Sequence, residues 1–457
     1  MTSAVVLGGG FAGMLAANVL ARHVPDVTVI EGGRYPEGPG ARGGVPQAHH
    51  SHVLVAGGAV ALETLLPGTL AALVDAGALR RGLSGDALIL SAHGWYPRHE
   101  TDAYLISCSR WLMDHVVRQR ALAGTAVTVR ENSRVRGLAG DATRVTGVVV
   151  EHGDGRVATI AADLVVDTTG RRSRAPRWLA DLGCPPVDEE TVDPGLAYAT
   201  RFYRAPADLA AELPAIMVHP RPGPGRSGHG ATLFPIEGGR FIVTLTGTRG
   251  DRPPVDERGF VACASALGSP IVAELMAAAQ PLGGVRPYRA TTNRRRYVER
   301  RARPDGFLVV GDALVALNPF YSHGMSVAAL SAVRLDRELT RSGVGPAELS
   351  AAQHAMAAEA DRSWQLAVEQ DRPRAGASPV PVAFEQFVRD RLARTVLASP
   401  AWTAAMFRAQ TLIGPAASPP AVPAPDAGEW RPLDEDAAIA QYPRLAAWRR
   451  AVVGSST

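Results

Sequence analysis

The chain has 457 residues, 46% hydrophobic and 20% charged, an ordinary globular composition with enough length for two packed domains. A net charge of +4 spread along the chain argues against nucleic acid, and no run of about 18 apolar residues predicts a membrane span. Three scattered cysteines without a CxxC pair predict neither a disulfide framework nor a zinc site, and all 48 basic residues are arginines, which excludes lysine chemistry. Ala4–Leu7 is too short an apolar run for a secretory leader, so the expected location is the cytoplasm.

The opening reads as a short buried strand (Ala4 to Leu7), a glycine turn (Gly8 to Gly13), an alanine-rich helix (Met14 to His23) and a second strand (Val27 to Ile30). Gly8-Gly9-Gly10-Phe11-Ala12-Gly13 is a GxGxxG: Gly8 permits the turn, Gly10 the approach of a pyrophosphate, and Gly13 close helix–strand packing. Glu31 ends the second strand, where an acid accepts hydrogen bonds from a ribose diol. A glycine-rich turn of no function is the rival reading, weakened by the strand, helix and terminal acid around it.

A Gly/Pro-rich loop follows to Gln47, then an apolar-periodic stretch from Val53 to Leu66 that predicts a helix ending at Pro67-Gly68. Strands are expected at Ala87 to Leu90 and Ala103 to Ile106, a helix from Arg110 to Leu122, and further strands between Val127 and Glu151. Leu164-Val165-Val166 is a buried strand leading to Thr169-Gly170, a pattern that is also common structural punctuation. From about 191 to 290, alternating segments such as Ala197 to Phe202 and Phe241 to Leu245, broken by Gly and Pro, predict an inserted, mainly antiparallel sheet. The basic run from Arg294 to Arg303 suggests a solvated loop or a phosphate contact. Phe307 to Val310 is a strand ending in Gly311-Asp312, which places a carboxylate at a sheet edge where ligands of open α/β sheets bind. Asn318-Pro319-Phe320-Tyr321-Ser322-His323-Gly324-Met325 then leads into a helix, Ser326 to Leu339, whose free N–H groups suit a partly negative group. The chain beyond is helical, with a proline-rich surface stretch from Pro415 to Pro425. His49, His50 and His52 lack a carboxylate or cysteine companion, so no metal is expected.

The order GxGxxG, then TG, then GD…NP…GM resembles the FAD-dependent monooxygenases of the para-hydroxybenzoate hydroxylase fold. That resemblance implies an α/β protein: a Rossmann-type (GR2-like) FAD-binding domain, an inserted mainly antiparallel β-sheet substrate domain and a helical C-terminal region. The FAD-binding domain would comprise 1–75, 105–190 and 291–345, the substrate domain 76–104 and 191–290, and the C-terminal helices and tail 346–457. Gly8, Gly10, Phe11, Ala12 and Gly13 would hold the FAD pyrophosphate and Glu31 the adenosine ribose. Asp312 would bind the ribityl chain or pyrophosphate, Pro319 would sit beside the isoalloxazine, and Gly324 and Met325 would meet its pyrimidine edge. More narrowly, Arg42-Gly43-Gly44-Val45-Pro46-Gln47, His50-Ser51-His52-Val53-Leu54 and Ser109-Arg110-Trp111-Leu112 resemble natural-product flavoproteins that include the polyene epoxidases of polyether pathways. Arg42, Val45 and Arg110 are the further FAD contacts this likeness implies.

Such enzymes use O2 and form a C4a-hydroperoxyflavin, so the expected reaction is epoxidation or hydroxylation of an apolar natural product by a cofactor that carries the chemistry. A redox-neutral flavin cyclase or a prenyl-type reductase is the alternative on the same fold. Flavin-dependent halogenation needs a lysine, which is absent. Thr169 stands where the hydroxylases usually have aspartate, so the donor is either NAD(P)H bound directly or a separate flavin reductase. Ser322-His323 replaces the Gly-Gln of the epoxidase-like pattern. His323 is the candidate catalytic residue, as an acid or substrate contact, with a surface role as the plain alternative.

Overall fold

The strand Ser3–Leu7 lies in the middle of a five-stranded parallel sheet, between Leu164–Asp167 and Asp26–Ile30, with Phe307–Val309 and Thr128–Arg130 at the edges. Its neighbours are buried on both faces, which is why these segments read as short continuous apolar runs. The structure is a computed structural model that describes residues 2–220, 228–372, 382–414 and 431–454. The proline-rich stretch Pro415 to Pro425 lies outside the described residues. Helix Phe11–Leu20 starts three residues earlier than the expected Met14, because Gly10 in extended conformation is its N-cap. The helix end is thereby brought directly onto the glycine turn.

The second layer is a seven-stranded sheet in which Gln280–Tyr288, Leu196–Arg204, Arg240–Thr248, Gly230–Ile236 and Ala215–Val218 pair antiparallel, while Ala87–Ser91 joins in parallel. Alternate residues sort to opposite faces. Ala199, Tyr203, Phe241, Val243 and Leu245 enter one core, covered by helices Glu257–Ser265 and Ile271–Ala278, which the strand reading of 191–290 did not foresee. Thr200 and Thr244, paired in register, face the nucleotide-binding layer. The stretch 76–104 contributes to two sheets, since Leu79–Gly82 pairs with Tyr104–Ser107 rather than with the large sheet.

Two sequence expectations are corrected. Val53 to Leu66 is not all helix: Val53–Val55 is a strand, favoured by its β-branched residues, and the helix is Ala56–Leu65. That helix packs tightly, because a Cβ at Gly58 would lie 2.6 Å from the Ser326 Cα and one at Gly57 would lie 2.3 Å from the Leu412 carbonyl. The basic run is a solvated loop only in its second half, where Arg300 and Arg301 are exposed. Asn293–Arg296 is a strand in which Arg295 and Arg296 are buried, held by ion pairs to Asp361, Glu299 and Glu189.

Helix Gly324–Ser342 packs on Pro346–Asp371, Ala56–Leu65 and Phe11–Leu20, closing the core of the parallel sheet. The last helices, Glu435–Ala440 and Pro443–Gly454, return to the large sheet, where Ile439, Tyr442, Leu445 and Trp448 join its core. No single helix among the described residues is long and apolar enough to cross a membrane.

Candidate functional site

Gly8 adopts φ +95°, a left-handed conformation that favours glycine, and its N–H donates to the Ile30 carbonyl at 2.8 Å. A Cβ at Gly13 would lie 1.9 Å from the Gly8 carbonyl, so only glycine lets the helix sit this close. The Thr168 hydroxyl donates to the carbonyls of Leu7 and Gly8, 2.8 Å away in each case, locking the second motif onto the first. Helix Phe11–Leu20 has no side-chain cap, so its first N–H groups are free to meet an anion.

Glu31 stands beside this turn. Its carboxylate accepts from the N–H groups of Gly9 and Gly33, each at 2.9 Å, and pairs with Arg42 at 3.0 Å. Gly10 has the Arg42 guanidinium as its nearest neighbour, 3.5 Å from where a Cβ would be. The Arg42 Nε is buried with no hydrogen-bond partner. Tyr35, which the sequence reading missed, lies over Gly9 and donates to its carbonyl at 2.7 Å, flanked by the guanidinium carbons of Arg118 and Arg42 at 4.3 and 5.3 Å. Its only sequence signal was an aromatic within a Gly/Pro-rich loop.

At the other end of the cradle, Gly311 adopts φ +65° and a Cβ there would sit 3.0 Å from the Ala12 Cβ, so the third motif abuts the first. Burial raises the Asp312 carboxyl above its ordinary range, opposed by the nearby charges of Arg171, Arg110 and Arg296. A Cβ on Gly324 would lie 3.4 Å from its Oδ1. Arg110 starts helix Arg110–Leu122 after the Ser109 cap and bonds Asp114 at 2.7 Å. Val45 precedes the 3-10 turn Pro46–His49, while Phe11 and Met325 are buried in the core.

Pro319 is exposed at the head of a turn whose position is set by an unforeseen network. Asn318 accepts from the Tyr198 hydroxyl at 2.5 Å and donates to Asp371 at 3.1 Å; Tyr321 and Asn293 also donate to Asp371, at 2.6 and 2.7 Å. Ser322 adopts φ +57°, and His323 follows as the N-cap residue of the long helix. His323 is buried, its Nε2 is 2.8 Å from the Gln410 carbonyl, and burial lowers its pKa to about 4. It is therefore neutral near pH 7, packed under the C-terminal helix Pro400–Gln410.

Across the layers, His50 Nδ1 meets the Thr200 hydroxyl at 2.9 Å, Thr200 meets Thr244 at 2.8 Å, and Thr244 meets Ser51 at 2.8 Å. Burial drops His50 to about 3, so this polar seam carries no charge at neutral pH.

Gly8, Gly10, Gly13, Glu31 and Arg42 form one cluster, and Asp312 and Gly324 a second that touches it through Ala12. The free helix end, the glycines and the orphaned Arg42 nitrogen fit a dinucleotide with an anionic bridge. Together with the layered sheets, they define a dinucleotide-binding flavoprotein of the para-hydroxybenzoate hydroxylase fold. The chain belongs to the FAD binding domain family, which it matches over residues 1–369. Protein Rv3254 of Mycobacterium tuberculosis is 34% identical over 354 residues, spanning 74% of this chain and 72% of that protein. Among solved structures, the flavin-dependent brominase Bmp2 is similar at TM-score 0.63 and 15% identity, covering 100% of this chain and 99% of its own. The p-nitrophenol 4-monooxygenase PnpA of Pseudomonas putida DLL-E4 is similar at TM-score 0.62 and 19% identity, covering 90% and 98%.

Proposed function

We propose that the protein is an FAD-dependent monooxygenase that places one oxygen atom from O2 on an apolar natural-product substrate, as an epoxide or a hydroxyl. Bound FAD supplies the reduction of O2 and the oxygen transfer. The chain's own task is to hold the cofactor, orient the substrate and exclude water. The glycine turn and the Phe11 and Ala12 N–H groups receive the pyrophosphate, with Arg42 beside them. Asp312 receives the sugar-alcohol chain, and the turn from Pro319 to Gly324 faces the ring.

The observation that carries the reading is the combination of the glycine-turn cradle and its free helix end with a partly buried apolar group elsewhere in the fold. His50 and His323 are held uncharged by burial, and a half-buried apolar group comprising Tyr96, Met217, Leu330, Leu366, Met406 and Ile413 packs between the sheet and the C-terminal helices. Such surroundings suit an apolar polyene, terpenoid or aromatic skeleton. The likeness to a brominase concerns the fold alone, and the chain has no lysine. Electrons come from NAD(P)H, either bound directly or relayed by a separate flavin reductase. The test is O2 consumption by the purified protein with NADPH, with and without an added reductase, against polyene, terpenoid and phenolic panels. Substrate-dependent uptake is expected; reductant oxidation indifferent to every compound would count against the proposal.

A further inference from the structure

Beside the flavin-side turn Pro46–His49, a cavity of about 200 Å³ opens between the start of helix Arg110–Leu122 and the strands Leu196–Arg204 and Gln280–Tyr288. We propose that this cavity is a second binding site, for a planar aromatic acid, distinct from the apolar group around Met217 and Met406. It goes beyond the oxygenase reading and does not depend on it.

Three features point to that ligand. The walls are aromatic: the rings of Trp111 and Phe202 lie parallel, 6° apart in plane with centroids at 5.6 Å, and His49 meets Trp111 edge-on at 5.5 Å. Flat, rigid surfaces of this kind favour a flat ligand. The Trp111 indole N–H is buried without an acceptor, a cost that a ligand oxygen would remove. The rim is cationic. Arg240 is neutralised by Glu237 at 2.7 Å, but Arg286 has no acid partner among the described residues. Its positive field depresses the imidazoles of both His49 and His50, on top of their burial. Space remains beside it, since no atom lies within 4 Å of where a Gly284 side chain would begin. An unpaired guanidinium beside an aromatic wall recognises a carboxylate held on a ring.

The test uses the protein as purified with its FAD, titrated by calorimetry with 2-naphthoate and with the neutral isostere 2-naphthylmethanol. The acid should bind saturably and about tenfold more tightly than the alcohol, and Arg286→Gln should erase that preference. Phe202→Leu should weaken both probes while keeping the preference. Because Arg286 is exposed on an edge strand, unchanged FAD content and melting temperature would show that the variant folds. Equal affinity for the two probes, a preference that survives Arg286→Gln, or no saturable binding to the FAD-loaded protein would each overturn the proposal.

Discussion

Glu31 accepts hydrogen bonds from Gly9 and Gly33 and pairs with Arg42, so its carboxylate braces the turn at the strand end where the sequence reading expects a ribose contact. Asp312 differs: no protein donor reaches its carboxylate among the described residues, and burial holds its pKa up. Asp312→Ala should therefore weaken FAD binding by about ten- to hundredfold while leaving the FAD-free protein as stable as before, since what is lost is a buried partner for the ligand. Glu31→Ala should instead lower the melting temperature of the FAD-free protein. Fluorescence titration with FAD and thermal melts separate the two, and equal FAD retention would remove Asp312 from the site. The buried histidines predict a pH dependence. His50 and His323 have folded pKa values of about 3 and about 4, below the roughly 6.5 of an unfolded histidine, so the unfolded chain binds more protons across that interval. Stability should then fall as pH drops from about 6.5 toward 4. His323→Gln and His50→Gln should each flatten the decline, and slopes unchanged from the parent would contradict the burial argument.

At the scale of elements, the glycine turn makes two separable demands. Gly13→Ala would drive a Cβ into the Gly8 carbonyl, so the helix must move off the strand, and loss of both folded protein and flavin is expected. Gly10→Ala meets only the Arg42 guanidinium, at an ordinary contact distance of 3.5 Å, so it should preserve the melting temperature of the FAD-free protein while reducing FAD affinity by blocking the phosphates. Parallel melts and FAD titrations check this, and a Gly10→Ala variant that binds FAD normally would place the pyrophosphate elsewhere. These elements were legible because strand, glycines and acid follow one another within 31 residues. The network on Asp371 was not legible. Tyr198, Asn293, Asn318 and Asp371 are brought together from four separate elements, and no local spacing marks them as partners. Arg295 and Arg296 misled for a similar reason, since of their acidic partners only Glu299 is local, while Asp361 and Glu189 are distant in sequence.

Over the whole molecule, the two-layer plan was visible in the switch from continuous apolar strands to alternating ones, but the path of the chain's end was not. Residues beyond 430 lie outside the family match, yet Ile439, Leu445 and Trp448 are buried in the core of the large sheet, and the Tyr442 hydroxyl donates to the carbonyls of Ser84 and Ala87. Ending the chain at residue 430 should therefore lower the melting temperature by several degrees and promote aggregation, because it strips an apolar face rather than a loose tail. A truncated protein that melts like the full chain would contradict that packing.

Oxygen transfer is the claim on which the functional account rests, and isotope labelling of the product tests it most directly. A compound that stimulates O2 uptake should be turned over under ¹⁸O2 and its product weighed by mass spectrometry. The account predicts a product carrying one ¹⁸O atom, as an epoxide or hydroxyl. A product isomeric with its substrate would instead make the protein a redox-neutral cyclase, one heavier by two hydrogens would make it a reductase, and either result would contradict the account.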